Sequence, residues 1–171
     1  MLLGSRERFD AATVYLILHG GLAFLFALSF TINLVYQVES VGLDPLQLVL
    51  VGTFLELVCF LSETPTGIVA DIYSRRLSIV IGVTIVGIGF IIEGAFPTFY
   101  TVLLAQLVWG FGWTFVSGAE AAWIADEVGS ERAGRVFMRG AQVGSIGGLV
   151  AAPFSVALAS VALWLPIVTS G

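Results

Sequence analysis

Gly67-Ile68-Val69-Ala70-Asp71-Ile72-Tyr73-Ser74-Arg75-Arg76 is a charged turn set between two long apolar stretches. An acid and two arginines within six residues are hard to place inside hydrocarbon, so this segment marks where the chain leaves a bilayer and turns back. The rest of the composition agrees. The 171 residues are 58% hydrophobic and 11% charged, with a mean hydropathy of +1.02, whereas water-soluble domains carry about 25% charged residues. The chain is therefore an all-α integral membrane protein.

Reading outward from the turn, polar breaks divide the sequence into five apolar runs, each long enough for the ~20 residues a spanning helix needs. The spans expected are about 11–36, 46–72, 77–96, 99–125 and 134–158, with the start of a sixth at about 165. Gly42-Leu43-Asp44-Pro45 opens the second, since proline is tolerated in a first helical turn. Pro97 closes the third, because it supplies no amide hydrogen to continue the ladder.

All seven basic residues are arginines: Arg6, Arg8, Arg75, Arg76, Arg132, Arg135 and Arg139. They fall before the first span, between the second and third, and between the fourth and fifth. If each run crosses once, those three places share one side, and the opposite turns hold Glu39 and Asp44 with no cation. Positive charge stays on the cytoplasmic side, so the N-terminus is expected in the cytoplasm, with the chain multi-pass in the cell (inner, cytoplasmic) membrane.

The turn resembles the loop after the second helix of major facilitator superfamily transporters, whose pattern is roughly Gly-x-x-x-Asp-Arg-x-Gly-Arg-Arg. Gly67, Asp71, Arg75 and Arg76 match it, while Ile72 stands for a basic residue and Ser74 for a glycine. Helix order and loop sides extend the resemblance over nearly the whole chain. It implies the N-terminal half of that fold: five of about twelve helices and the start of the sixth, one three-helix repeat and most of its inverted partner. The missing C-terminal half or a partner chain is then required, and the chain reads as a truncated product or fragment. By the same resemblance Asp71 is a conformational latch that meets a helix of the other half, and Asp126 pairs with Arg75 or Arg76. The alternative for the two arginines is a positive-inside anchor.

Glu56, Glu63 and Glu120 lie inside apolar runs, where a charged acid costs about 2.5–3.5 kcal/mol. Each therefore needs a protein neighbour or a proton. Glu56, near the midplane, is the candidate coupling or substrate residue; the alternative is a permanently protonated hydrogen-bonded acid. Glu63 shares its face seven residues on, two before Pro65, and either joins that site or organises a kink. Glu120 and Arg139 are nearly equidistant from the Gly129-Ser130 turn, so a structural ion pair between them is expected. Glu93 near an outer helix end is read as unremarkable. His19 is a candidate proton relay or an interhelical hydrogen-bonding group. As the lone histidine, beside the lone Cys59, it makes no metal site. Asn33, Gln37, Gln106 and Gln142 read as packing glue or cavity lining.

Gly140, Gly144 and Gly148 in the fifth run, and Gly110 and Gly118 in the fourth, repeat at four-residue or doubled spacing and suggest close helix packing. Gly144, Gly147, Gly148 and Pro153 faintly resemble a motif of drug exporters in the same superfamily. Gln106-Leu107-Val108-Trp109-Gly110 lacks the arginine that many members carry in helix four.

The function expected from this resemblance is secondary, proton-coupled transport of a small solute, with export favoured. Its partners are the lipid bilayer, the small-molecule solute and protons, with no cofactor and no nucleic acid. The alternative is a non-transporting scaffold or an inactive remnant of a transporter gene. Catalysis is not expected: no second histidine, no Gly-x-Ser-x-Gly turn and no nucleotide-binding loop occurs. In a Cys59→Ser background, a cysteine placed at Ser74 should react with an impermeant maleimide only in inside-out vesicles. Labelling from outside intact cells would overturn the expected topology.

Overall fold

The computed structural model describes residues 10–171 and is helical throughout its ordered elements: α1 (Ala11–Glu39), α2 (Pro45–Ile72), α3 (Arg75–Ala95), α4 (Phe99–Val128), α5 (Ser130–Ala159) and the short α6 (Leu165–Ser170). Five of these are long and apolar enough to cross a membrane. Arg6 and Arg8, on which the expected topology partly rests, lie outside the described residues.

The helices outrun several of the apolar stretches because their ends are capped in polar sequence. α1 continues three residues past Tyr36, and α3 starts at Arg75, where the Ser74 hydroxyl accepts from the Leu77 amide at 3.4 Å. α2 opens with a reciprocal box. Asp44 accepts from the Gln47 amide at 2.8 Å, and the Gln47 side chain accepts from the Asp44 amide at 3.0 Å. Thr98 and Thr101 repeat that arrangement before α4. Gly129 alone separates α4 from α5. Its φ of 78° suits glycine, and so α5 begins at Ser130, four residues earlier than the apolar run.

α2 packs on α4, α4 touches α1, and α1 packs along α5, which makes a row of four helices. α3 lies behind α4, with α6 beside it against α1. Buried side chains concentrate on α3 and α4, so those two helices form the core. An aromatic layer crosses it: Phe26 stands edge-on to Trp113 at 5.0 Å and to Phe90 at 5.4 Å, and Phe30 meets Trp109 at 5.6 Å.

Pro65 does not end α2. The Thr66 hydroxyl donates to the Ser62 carbonyl at 2.8 Å and also reaches the Thr114 carbonyl of α4 at 3.3 Å. Pro65 has no amide hydrogen to give the Leu61 carbonyl four residues back, and the Thr66 hydroxyl, beside that gap, ties the proline turn to its neighbour. Glu63 takes part only through its backbone carbonyl.

Glycines set the closest approaches, at positions only partly shared with the four-residue rhythm. A Cβ on Gly112 would stand 2.8 Å from the Val86 amide and 2.9 Å from the Gly82 carbonyl of α3, so α3 and α4 touch backbone to backbone. On α5, Gly140 faces the Tyr15 ring, Gly144 faces His19 and Ala23, and Gly148 faces Ala27. Gly110 meets Leu55 of α2, whereas Gly118 has nothing within 4 Å and takes no part in close packing. The reason is rotational: Gly112, not Gly118, is turned towards α3. Gly112→Ala should therefore destabilise the bundle by about 1–3 kcal/mol through overpacking, while Gly118→Ala leaves it unchanged, as thermal unfolding in detergent would measure.

Candidate functional site

Three polar constellations interrupt the apolar bundle, one at each end and one between. The first is the arginine-bearing end, where the short α2–α3 link brings the charged turn against the C-terminal turn of α4. Arg75 donates through Nη1 to the Ala122 carbonyl at 3.1 Å and to the Asp126 carboxylate, and its Nη2 is 3.5 Å from Asp71. Arg76 bonds to Glu127 and lies over the Trp123 ring, 5.9 Å from its centroid. That position lets the ring face attract the cation. One guanidinium, that of Arg75, thus serves acids at the ends of two helices, both of which carry the negative pole of a helix dipole. Asp71 and Asp126 remain largely exposed, so water screens these pairs and each is worth about 1 kcal/mol or less. Their effect is to fix how the α2–α3 turn seats on α4.

Mid-bundle, His19 of α1 and Glu120 of α4 meet with Nδ1 3.2 Å from Oε1. Tyr15, one turn earlier on α1, stacks on the imidazole at 5.3 Å between centroids. The smallness of Gly140 and Gly144 lets α5 approach this corner, because larger side chains there would strike Tyr15 and come up against His19. The histidine side chain is 35% exposed and the glutamate 11%, so the pair is enclosed by the protein but open on one side. Carboxyl and imidazole at this distance share or exchange a proton and offer both an acceptor and a donor to a bound hydroxyl.

This geometry corrects the expected Glu120–Arg139 pair. Among the described residues Arg139 makes no ion pair, and its side chain points outward from α5. Equal distance from the turn gives equal depth but says nothing of helix rotation, and His19 stands at the same depth on the helix that Glu120 faces.

At the arginine-free end, Glu93 is buried among Asn33, Gln37 and Gln106, so three of the four amides singled out in the sequence converge on one carboxyl. The fourth, Gln142, is exposed on α5. Glu56 and Glu63 are exposed on α2, and neither has an ion-pair partner among the described residues. No group of three or more potential metal ligands occurs among the described residues.

A groove of about 830 Å³ does not have His19 or Glu120 in its wall. It runs between α1 and α3 at the arginine-bearing end, lined mainly by Val14, Leu18, Ile79, Val80 and Trp123. Its lining is largely apolar, which suits hydrocarbon better than a polar solute.

Sequence reading missed Glu127, Trp123 and Tyr15 as members of these sites. Glu127 was in plain view, adjacent to Asp126 as Arg76 is adjacent to Arg75, which fits two parallel pairs across one contact. Tyr15 is one turn from His19, so it shares that residue's face.

A family model described as "Sugar (and other) transporter" matches residues 20–165. The uncharacterised MFS-type transporter YxaM of Bacillus subtilis (strain 168) is 29% identical over 104 residues, a stretch that covers 58% of this chain and 25% of that protein. The matched region thus spans a quarter of the length of that relative.

Exposure separates the two candidate partners of Glu120. Arg139→Ala should change the unfolding free energy by no more than about 0.5 kcal/mol. His19→Ala, which strips a buried acceptor of its partner, should cost about 1–3 kcal/mol. Chemical unfolding of the two variants side by side would check the order.

Proposed function

The chain belongs to the sugar (and other) transporter family of the major facilitator superfamily, and on that premise we propose that it is the first helix bundle of a secondary transporter carrying a small polar solute by alternating access. Transport as such is the common property of the family and of the relative. The solute, the coupling ion and the direction are this proposal's own.

The observation that carries it is the His19–Glu120 pair. It joins α1 and α4, the two middle helices of the row, and stays partly open, whereas Glu93 is fully buried. Solute hydroxyls would bond to the carboxylate and the imidazole, and a proton on the pair would be released or taken up as the solute binds. Protons are therefore the coupling ion. The glycines and Pro153 of α5 favour export.

Alternating access needs two bundles rocking about one site. The second is supplied by further polypeptide or by a partner chain, packed against the row formed by α2, α4, α1 and α5. Three observations support that placement. Glu56 and Glu63 on α2 and Arg139 on α5 are exposed and unpaired among the described residues, although each lies within or close to the span. Lipid would be a poor neighbour for them. Asp71, at the end of α2, is the latch to that second bundle, held in readiness by Arg75. The arginine-bearing end faces the cytoplasm, in the cell membrane.

The test uses the transporter with both bundles in place, in proteoliposomes loaded with a pH-sensitive dye, challenged with a panel of monosaccharides and polyols. Glu120→Gln should abolish proton-driven accumulation by about tenfold or more while solute exchange at equal pH persists, one pK unit of lost proton linkage being a tenfold effect. His19→Asn should flatten the pH dependence in the same direction. Accumulation with unchanged pH dependence in both variants would remove the pair from the mechanism, and Glu56→Gln would then become the variant to examine.

A further inference from the structure

Glu93 is the most deeply buried carboxyl among the described residues, 1% exposed, and the proposed transport site gives it no task. It lies two residues before the end of α3, at the arginine-free end of the bundle. Its two oxygens are held differently. Oε1 accepts from Asn33 Nδ2 and from Gln37 Nε2, each at 2.9 Å, while Oε2 meets only Gln106 Nε2 at 3.5 Å. The amides are themselves fixed: Gln37 Nε2 also donates to Asn33 Oδ1 at 2.7 Å, and Gln106 Oε1 accepts from the Trp109 indole at 3.0 Å. The Tyr36 hydroxyl donates to the Glu93 backbone carbonyl at 2.7 Å.

No cation among the described residues faces this carboxyl. On α1 the titratable neighbour is Tyr36, with Glu39 exposed beyond it at the helix end. α4 contributes Gln106 and Trp109, neither ionisable. α6 closes on Gly94 through Trp164 and Val168, also without an ionisable group. The α1–α2 turn, bonded back to Gln37, carries the exposed acid Asp44. The described arginines lie at the other end or, for Arg139, further along α5 towards the middle of the bundle.

An acid so placed has two satisfied states. Protonated, it is neutral and needs no counter-ion. Ionised, it is held by a fan of amide N–H donors from two other helices. Oε2, with its single long contact, is the oxygen with room for a proton. A pocket of about 450 Å³ lies at the same end, and its wall includes Tyr36, which bonds to the Glu93 backbone, and Gly94, the next residue along α3, together with Ser40, Ala95, Pro97 and Trp164.

We propose that Glu93 is a proton-exchanging site, loaded through this pocket from the arginine-free face, which is the outer face in the proposed orientation. The step is a simple transfer: the Oε2–H bond breaks, the proton passes to water in the pocket, and the electron pair stays on the carboxylate. Because the amides belong to α1 and α4, the charge on Glu93 sets how tightly the outer ends of α1, α3 and α4 are drawn together. Its use in a transport cycle rests on the proton-coupled reading, but its existence does not.

Infrared difference spectroscopy of the full chain in liposomes tests it without any transported solute. Wild type should show a protonated-carboxyl stretch that Glu93→Gln lacks. That band should shift in deuterium oxide and give way to a carboxylate band as pH is raised. Glu93→Asp should retain a displaced band, and circular dichroism of each variant separates loss of the group from loss of fold. Ala95→Trp, at the pocket mouth, should slow the isotope shift. A band indifferent to both pH and isotope, or a spectrum that Glu93→Gln leaves unchanged, would reduce Glu93 to a structural acid. Either result would leave the His19–Glu120 assignment standing, since that is read from solute-driven proton flux.

Discussion

Hydrocarbon cannot hydrate a charge, and this bundle answers that constraint in three different ways at three depths. At the arginine-bearing end the charges simply reach water, and pairing serves geometry more than energy. In the middle, an acid enclosed on all but one side is given a partner on a neighbouring helix, His19 for Glu120 at 3.2 Å. At the far end no cation is offered among the described residues, and neutral amides converge on the carboxyl of Glu93 instead. The three answers have different consequences. The first locks a turn, the second leaves a reactive pair, and the third leaves an acid whose charge depends on its proton.

Close helix contact makes the arrangement rigid enough to be used. Without a hydrophobic driving force inside the bilayer, helices associate by packing and by interhelical bonds. α3 and α4 meet at Gly82, Gly89 and Gly112, where there is no room for a side chain, and α1 and α5 meet at Gly20, Gly144 and Gly147. The Ser155 hydroxyl adds a 2.6 Å bond to the Leu28 carbonyl across that second contact, just past Pro153. α4 is thus held to α3 and also to α2, and α1 chiefly to α5, while α1 and α4 touch each other sparingly. The His19–Glu120 pair bridges that lighter seam.

How much of this was legible in the sequence depended on whether depth or rotation was being asked for. Depth is written plainly in a membrane protein. Apolar runs located the spans, and arginine placement grouped Arg75, Arg76 and Asp126 at one end. Rotation is not written plainly when a helix is apolar nearly all round, because no polar face marks its outside. Glu120 therefore had two candidates at one depth, and only the packing of α1 against α4 selects His19 over Arg139. Glu93 was passed over for the same reason: its position near a helix end suggests easy access to the surface, yet it is turned inward. Gly118 and Gly112 show the problem in its simplest form, two glycines on one helix of which only one faces a neighbour. Helix ends failed differently, since polar caps such as Ser74 and Gly129 extend helices past the apolar run that defines them.

The two buried acids differ in what a proton does to the charge around them. For Glu120 and His19, moving a proton between the partners leaves the net charge of the pair unchanged, because what one loses the other gains. Glu93 has no such partner, and its proton must come from or go to water, changing the net charge of its surroundings by a full unit. Between the two acids lies the aromatic layer of Phe26, Phe30, Phe90 and Trp109, whose indole nitrogen is bonded to Gln106 of the Glu93 cluster. None of those four side chains carries a carboxyl, imidazole or hydroxyl group. In the proposed scheme each site therefore exchanges with the face nearest to it, the pair with the open front of the helix row and Glu93 with the pocket beside it.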